Sequence, residues 1–168
     1  MPFPKWIEAD NISQGFHGTL LDHLEKYLKP DNTVLLVAEP RNITWFMGSY
    51  FPTAKFESLE YEGLRGEDYY DLNILREPNP IYDIVFSQAL LEHVCRPSIV
   101  IENMANFTIP SGYIIMHVAG RNFEYHPYPI DCVRFFEDFF RDLERYIPIK
   151  VIEYHEITKH IFVVYQKL

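Results

Sequence analysis

The chain has 168 residues, of which 48% are hydrophobic and 16% aromatic, and this composition excludes a disordered polar protein. The formal net charge is −9 and no two Lys or Arg residues are adjacent, so nucleic acid is not an expected partner. The N-terminus lacks the apolar core of a signal peptide and no apolar run has the length of a membrane span. We therefore expect a cytoplasmic protein of one domain over residues 1–168, with Cys95 and Cys132 as free thiols.

The first half of the chain alternates helical and strand patterns. Apolar residues at helical spacing predict a helix over 16–28, and a nearly continuous apolar run predicts a buried strand over 33–38. A helix is predicted over 42–50 and a second strand over 55–60. Residues 61–81 are polar and rich in Tyr and Pro, so most of this range is predicted to be loop.

The second half continues the alternation. A strand is predicted over 82–87, a helix over 97–107, a turn at 109–112 and a strand over 113–118. A loop over 120–130 precedes a predicted helix over 131–146, whose inward residues would be Phe135, Phe136, Phe139, Phe140 and Leu143. Two strands, 149–155 and 160–166, close the chain as an antiparallel hairpin. The pattern predicts an α/β three-layer sandwich with a mostly parallel sheet that ends in this hairpin.

Polar residues follow the strand over 82–87. Ser87 and Gln88 end the strand, and Glu92 and His93 come within the next turn. Ligands of open parallel sheets bind at the carboxyl ends of the strands, so these residues are site candidates. Histidine serves as a general base near neutral pH, which makes His93 a candidate catalytic residue. The alternative is a histidine that only packs or caps a helix.

Four segments resemble class I methyltransferases, which use S-adenosylmethionine. They read T-V-L-L-V-A-E-P-R-N-I-T-W, F-P-T-A-K-F-E-S-L-E-Y, Y-D-I-V-F-S-Q-A-L-L-E-H-V and I-P-S-G-Y-I-I-M, and the resemblance spans residues 20–145. It implies the Rossmann-like fold of that family. One departure stands at 38–42, where the family usually reads G-x-G-x-G and this chain reads A-E-P-R-N.

The resemblance implies S-adenosylmethionine as the cofactor. The residues that it places around the cofactor are Ala38, Glu39, Glu60, Asp71, Leu72, Ser87 and Gln88. Glu39 would hold the ammonium group, Glu60 the ribose hydroxyls, and Asp71 with Leu72 the adenine. The alternatives are a helix-capping Glu39 in a decayed loop, a solvated Glu60, and an Asp71 that only bonds its own turn.

The block H-P-Y-P-I-D-C-V-R-F resembles the H-x-x-P-x-D-x-x-R-F pattern of some small methyltransferases, including ones linked to glycans. The resemblance implies that His126, Tyr128 and Arg134 bind the acceptor and that Asp131 is catalytic. Asp131 and Arg134 are spaced i,i+3, so they are expected to pair on one helical turn. The alternative is a purely structural clamp between these two residues.

The seven histidines show neither H-x-H nor H-E-x-x-H spacing, so the sequence predicts no metal site. His126 and Asp131 could join one only if the fold brought them together. The leading hypothesis is methyl transfer from S-adenosylmethionine to a small, hydroxyl-bearing acceptor such as a sugar. The alternative is a catalytically silent methyltransferase-like domain that binds a partner protein or glycan, which the missing glycines favour.

Overall fold

The computed structural model describes residues 14–39, 41–59, 71–127 and 130–168, which form a six-stranded sheet with helices on both faces. The helices are α1 (Gln14–Tyr27), α2 (Arg41–Tyr50), α3 (Pro97–Phe107) and α4 (Glu137–Asp142). The strands are β1 (Thr33–Val37), β2 (Lys55–Leu59), β3 (Tyr82–Gln88), β4 (Thr108–Ala119), β5 (Ile149–Ile157) and β6 (His160–Lys167). Short 3-10 turns, Leu91–His93 and Leu143–Arg145, follow β3 and α4.

The strand order is β2-β1-β3-β4-β6-β5. Strands β2, β1, β3 and β4 are parallel, whereas β6 is antiparallel to both β4 and β5. The mostly parallel sheet with a terminal hairpin is thus confirmed. Because the carboxyl ends of the parallel strands meet at one edge, the last residues of these strands, Val37, Leu59, Gln88 and Ala119, lie along the same edge, called the carboxyl edge below.

Apolar side chains cover both faces of the sheet, which explains the nearly continuous apolar runs of β1 and β3. On the α3/α4 face, the core contains Leu35, Val37, Val85, Ile114, Val163, Val100, Ile101, Met104 and Phe140. On the α1/α2 face, it contains Val34, Leu36, Ile84, Phe86, Ile115, Leu21, Leu24 and Met47. Two cores separated by the sheet confirm the three-layer architecture.

The predicted turn at 109–112 lies inside a longer strand. β4 begins at Thr108, and its register with β3 jumps from Tyr82 opposite Thr108 to Ile84 opposite Tyr113. Ser111 has a φ of 64°, in the left-handed region. The residues between Thr108 and Tyr113 therefore form an irregularity like a β-bulge, and regular pairing with β3 starts at Tyr113.

The helix predicted over 131–146 is wrong in its first half. The helix begins at Glu137, and Phe136 before it is extended and 57% exposed, although it was predicted to face inward. Phe135 forms a backbone bridge with Gly120 instead, and the amide of Cys132 donates a 2.7 Å hydrogen bond to the carbonyl of Glu92. These long-range backbone bonds replace the intrahelical ones, and only Phe135, Phe140 and Leu143 are fully buried.

Within the described ranges, no helix combines the length and the apolar character that crossing a membrane requires.

Candidate functional site

The carboxyl edge begins where β1 and β3 end side by side. Val37 lies opposite Ser87 in the register of these strands, and Ser87 lies opposite Met116 of β4. The residues that leave the two strands, Ala38 and Ala89, have φ values of 64° and 47°. Left-handed backbone costs a residue with a Cβ about 1–2 kcal/mol, so the chain turns sharply here without the glycines that relieve that cost.

Glu39 lies in the loop that follows β1. It is half-buried, and burial raises the pKa of its carboxyl to about 7. The amide of Ala38 is not available to a ligand, since it donates a 2.8 Å hydrogen bond to the carbonyl of Leu59. The carboxyl group of Glu39 is therefore a polar group that the described part of this loop can offer to a cationic partner.

Ser87 and Gln88 end β3 on opposite faces of the sheet. Ser87 is fully buried, and its hydroxyl has no hydrogen-bond partner among the described residues. Gln88 is half-buried and lies opposite His117 of β4. A buried hydroxyl without a partner at the carboxyl edge is a group that a bound ligand would satisfy.

Asp71 and Leu72 lie in a tight turn that packs on α3. The Asp71 carboxylate accepts hydrogen bonds from the amide and side chain of Asn73, at 2.8 and 3.1 Å. Leu72 is fully buried, and its carbonyl accepts a 3.0 Å bond from Asn103. Asp71 thus does bond its own turn, as the structural alternative required, while the adenine contact of these two residues stays a prediction.

Three donor side chains meet farther along the carboxyl edge. Glu92 and His93 lie in the turn after β3, and His126 lies in the segment after β4. One ligand atom from each residue lies within 4.8 Å of the others, and the two imidazole Nε2 atoms are 3.2 Å apart. The rings meet edge to face at a centroid distance of 4.8 Å. Loops that are 33 residues apart in the chain thus form one Glu–His–His cluster.

Glu92 is the most deeply buried member of this cluster. It is 1% exposed, and its Oε2 atom has no hydrogen-bond partner in the described parts of the chain. Burial raises the pKa of the Glu92 carboxyl to about 6, against the opposing effect of backbone N–H groups and of the charges of His126 and Arg134. The cluster therefore contains a buried acid that titrates close to neutral pH.

The Asp131 carboxylate organises the segment that carries His126. It accepts hydrogen bonds from two nitrogens of Arg134 and a 2.8 Å bond from the amide of His126. The Arg134 guanidinium also donates to the carbonyls of Phe123 and Glu124, at 3.2 and 2.8 Å. The guanidinium holds the pKa of the Asp131 carboxyl well below its usual range. The predicted Asp131–Arg134 pair is therefore present, but in a segment that forms no helical turn.

Two exposed cysteines flank the cluster. Cys95 and Cys132 are free thiols, as predicted, and their Sγ atoms lie 3.5 Å apart. The amide of Cys132 donates to the carbonyl of Glu92 at 2.7 Å, so the turn after β3 and the segment around residue 132 are joined through the backbone.

The described structure brings together part of the predicted site. His93, His126, Asp131 and Arg134 form one connected group, whereas Glu60 and Tyr128 lie outside the described residues. Glu92 was predicted as a site candidate together with His93, but the sequence assigned it no specific chemical role. Its burial follows from the loop after β4, which folds over it from a distant part of the chain.

No protein-family profile and no curated protein sequence matches this chain. Solved structures do match. A chain from a Haloferax volcanii complex that contains the methyltransferase activator Trm112 is 14% identical, with 96% of each chain covered and a TM-score of 0.67. An S-adenosylmethionine-dependent methyltransferase of Mesorhizobium loti is 10% identical over 87% of this chain and 96% of its own, with a TM-score of 0.66. The [4+2]-cyclase SpnF is 8% identical over 89% and 80% of the two chains, with a TM-score of 0.59.

These likenesses establish the fold. The chain has the Rossmann-like fold of class I S-adenosylmethionine-dependent methyltransferases, which confirms the sequence resemblance at the level of architecture. A cyclase shares this architecture, so the reaction has to be argued from the residues of the site.

Proposed function

We propose that this chain binds S-adenosylmethionine at the carboxyl edge and transfers its methyl group to a small, hydroxyl-bearing acceptor. The observation that carries the proposal is the pairing of this fold with two polar side chains, Glu39 and Ser87, at the ends of β1 and β3. Glu39 offers a half-buried carboxyl group, and Ser87 offers a buried hydroxyl without a partner among the described residues. Both stand where ligands of open parallel sheets bind.

The Glu39 carboxyl fits the ammonium group of the cofactor. A buried carboxyl with a raised pKa is destabilised as an anion, and an adjacent cation restores the ionised form. Two hydroxyls of a ribose would need an acid farther along the edge, and Glu60 holds that place in the sequence. The cofactor supplies an activated methyl group on a sulfonium sulfur.

The acceptor is proposed to lie beside the His93–His126 pair. Both imidazoles lie on the segments that follow the neighbouring strands β3 and β4, and the ring of Phe123 packs 5.0 Å from that of His126. A hydroxyl group is a weak nucleophile, so transfer to oxygen benefits from a base that takes its proton. His93 would accept this proton through Nε2, since its Nδ1 faces the carbonyl of Ile130.

Asp131 and Arg134 have a positioning role in this scheme. The Asp131 side chain is 2% exposed and already binds Arg134 and the amide of His126. It would act through His126, whose backbone it fixes, and Arg134 would orient the segment through the Phe123 and Glu124 carbonyls. Acceptor contacts of Arg134 and Tyr128 stay predictions.

Cofactor binding is tested by thermal unfolding of the full chain with S-adenosylhomocysteine in the presence of a chelator. Ligand at about 100 times its dissociation constant should raise the free energy of unfolding by about 2.7 kcal/mol. Glu39→Gln should reduce the shift, whereas the surface variant Glu137→Gln should leave it unchanged. The absence of any shift at millimolar ligand would overturn the cofactor proposal.

The acceptor class is tested with labelled S-adenosylmethionine and a panel of small sugars and alcohols, compared with amines and thiols. We expect label in hydroxyl compounds, and a loss of about 100-fold in rate for His93→Gln. His155→Gln changes an exposed histidine on β5 and is the matched control. Transfer to amines alone would contradict the oxygen acceptor.

A silent binding domain is the second candidate, and the first loop favours it. Ala38 occupies a left-handed position that suits glycine, and its amide is bonded to Leu59. Binding of a glycan or protein without cofactor binding would identify this function. Retained S-adenosylhomocysteine binding in wild-type protein excludes the version in which the cofactor site has decayed.

A further inference from the structure

The Glu92–His93–His126 cluster has a geometry that two neutral imidazoles do not explain. The Nδ1 atom of His93 faces the carbonyl oxygen of Ile130, which can only accept a hydrogen bond. The Nδ1 atom of His126 lies 3.3 Å from the carbonyl of Glu124 and 3.5 Å from Oδ2 of Asp131, which are also acceptors. These contacts favour the hydrogen on Nδ1 of each ring, and in that tautomer each neutral ring has a lone pair on Nε2.

These two lone pairs face each other. The Nε2 atoms of His93 and His126 are 3.2 Å apart, and two acceptors at this distance repel unless a cation lies between them. A proton on one ring would serve, and so would a metal ion. Two nitrogens bound at about 2.0–2.1 Å to one tetrahedral ion lie about 3.3 Å apart, which agrees with the observed separation.

Glu92 distinguishes the metal ion from the proton. Its carboxyl is 1% exposed, its Oε2 atom has no partner among the described residues, and a donor oxygen lies within 4.8 Å of both imidazole nitrogens. A proton shared by the histidines would leave Oε2 unsatisfied, whereas a metal ion between the three groups would bind the Glu92 carboxylate. A single multivalent cation would therefore provide a partner for all three side chains.

The groups around the cluster match those that support metal ligands. Metal-bound histidines usually donate their second N–H to a carbonyl or carboxylate, and the Nδ1 atoms of His93 and His126 face the carbonyls of Ile130 and Glu124 here. Asp131 in turn is held by Arg134, and the carbonyl of Glu92 accepts from Cys132. These hydrogen bonds therefore hold the three side chains in position without a bound ion.

We propose that Glu92, His93 and His126 bind a divalent transition-metal ion, for which Zn²⁺ is the best fit. Two imidazoles and a carboxylate suit zinc and its first-row neighbours and do not suit Mg²⁺ or Ca²⁺, which prefer oxygen ligands. Three protein ligands leave a coordination position open. With the ion bound, the Nε2 lone pair of His93 would be a ligand and not a base, so the open position would receive the acceptor hydroxyl and the ion would lower its pKa in place of His93. This is the one part that rests on the proposed function. The metal site replaces the expectation from histidine spacing that no metal binds.

A second group, His23 of α1 with Glu153 and His155 of β5, also has metal-ligand spacing. Its Glu153 carboxylate is already bonded by Lys26 and Tyr27. A lysine ammonium at the carboxylate repels an incoming cation, so this group serves as the matched comparison and not as the proposed site.

The test is a Zn²⁺ titration of the chelator-treated full chain in competition with a chromophoric chelator, without S-adenosylhomocysteine. We expect about one equivalent of tightly bound ion, weakened by about 100-fold or more in His126→Ala and in Glu92→Gln. His155→Ala and Cys95→Ser should bind as wild type does. Thermal unfolding of the apo variants confirms that each is folded.

Co²⁺ provides a second readout on wild-type protein that needs no variant to fold. Visible d–d bands of a four- or five-coordinate ion without thiolate charge-transfer absorption are expected. The absence of zinc binding, unchanged affinity in both ligand variants, lost binding in His155→Ala, or a thiolate band lost in Cys95→Ser would each overturn the proposal. Cofactor binding is measured with chelator present, so failure of the metal site and failure of the proposed function are distinguishable.

Discussion

The carboxylate of Asp131 accepts two hydrogen bonds from the guanidinium of Arg134, three residues later, in a segment that is not helical. The pair is nearly buried, with side-chain exposures of 2% and 20%. Both partners also bond the backbone of the preceding loop, from Phe123 to His126. The Asp131–Arg134 pair therefore holds this part of the site in place, where the described residues form no regular secondary structure.

Removing this pair should destabilise the protein strongly. We expect Asp131→Ala to lower the free energy of unfolding by about 3 kcal/mol, because it leaves a buried guanidinium and a backbone amide without their acceptor. Asp142→Ala removes the same kind of i,i+3 pair with Arg145, but at exposures of 56% and 71%, and should cost less than about 0.5 kcal/mol. Urea denaturation measures both, and equal losses would contradict the structural role.

The burial of Glu92 should make the free energy of unfolding depend on pH. Its folded-state pKa of about 6 lies above the ordinary value, so the folded state binds this proton more tightly than the unfolded state does. The stability that the group contributes is complete below about pH 4 and is lost as the pH rises through about 6.

In Glu92→Gln, the free energy of unfolding should not show this decrease as the pH rises. Measured with a chelator present, the stability of the variant should gain on wild type by about 2 kcal/mol between about pH 4 and pH 7. Glu137→Gln on the surface of α4 should show no such trend. A difference between Glu92→Gln and wild type that is constant with pH would show that the carboxyl is not the cause.

Binding of S-adenosylhomocysteine should weaken on acidification. The Glu39 carboxyl has its pKa raised to about 7 by burial, and an ammonium group beside it would lower that pKa, so binding releases a proton. Affinity should fall as the pH drops from about 7.5 to about 5.5. Calorimetry in buffers of different ionisation enthalpy measures the released proton, and Glu39→Gln should bind weakly without proton release. Equal wild-type affinity at both pH values would remove Glu39 from the site.

Two glycines should respond to alanine in opposite directions. A Cβ on Gly112 would lie 2.7 Å from the carbonyl oxygen of Asp83 and 2.9 Å from that of Ile109. Gly112→Ala should therefore lower the free energy of unfolding by about 1–3 kcal/mol. Gly48 in α2 has no atom within 4 Å of such a Cβ, so Gly48→Ala should raise stability by about 0.5–1 kcal/mol. Thermal unfolding compares them, and two changes of the same sign would contradict this packing.

The layers of the fold were predictable because their signals are local. The apolar runs of β1 and β3 required strands buried on both faces, and residues from Val34 to Val37 are all buried. Helical spacing located Leu21 and Leu24 on the inward side of α1. Each of these conclusions needed only residues within one element.

The site was predictable only in part, because its contacts join distant segments. His93 and His126 were each candidates, but their contact depends on the loops after β3 and β4 meeting at the carboxyl edge. The first six residues of the helix predicted over 131–146 are not helical for the same reason, since Phe135 pairs with Gly120 and Cys132 with Glu92. No periodicity within 131–136 reports bonds whose partners lie 15 to 40 residues away.

The Sγ atoms of Cys95 and Cys132 lie 3.5 Å apart at the surface, close enough for an oxidant to join them. A two-electron oxidant that takes up the electrons as both thiols lose their protons would join them as a disulfide. That bond would close a loop of 37 residues, for which chain entropy predicts a stabilisation of about 4 kcal/mol. The disulfide would then link the segment of Glu92 and His93 covalently to the segment of His126. The carboxylate and imidazole atoms of these three residues would stay chemically unchanged.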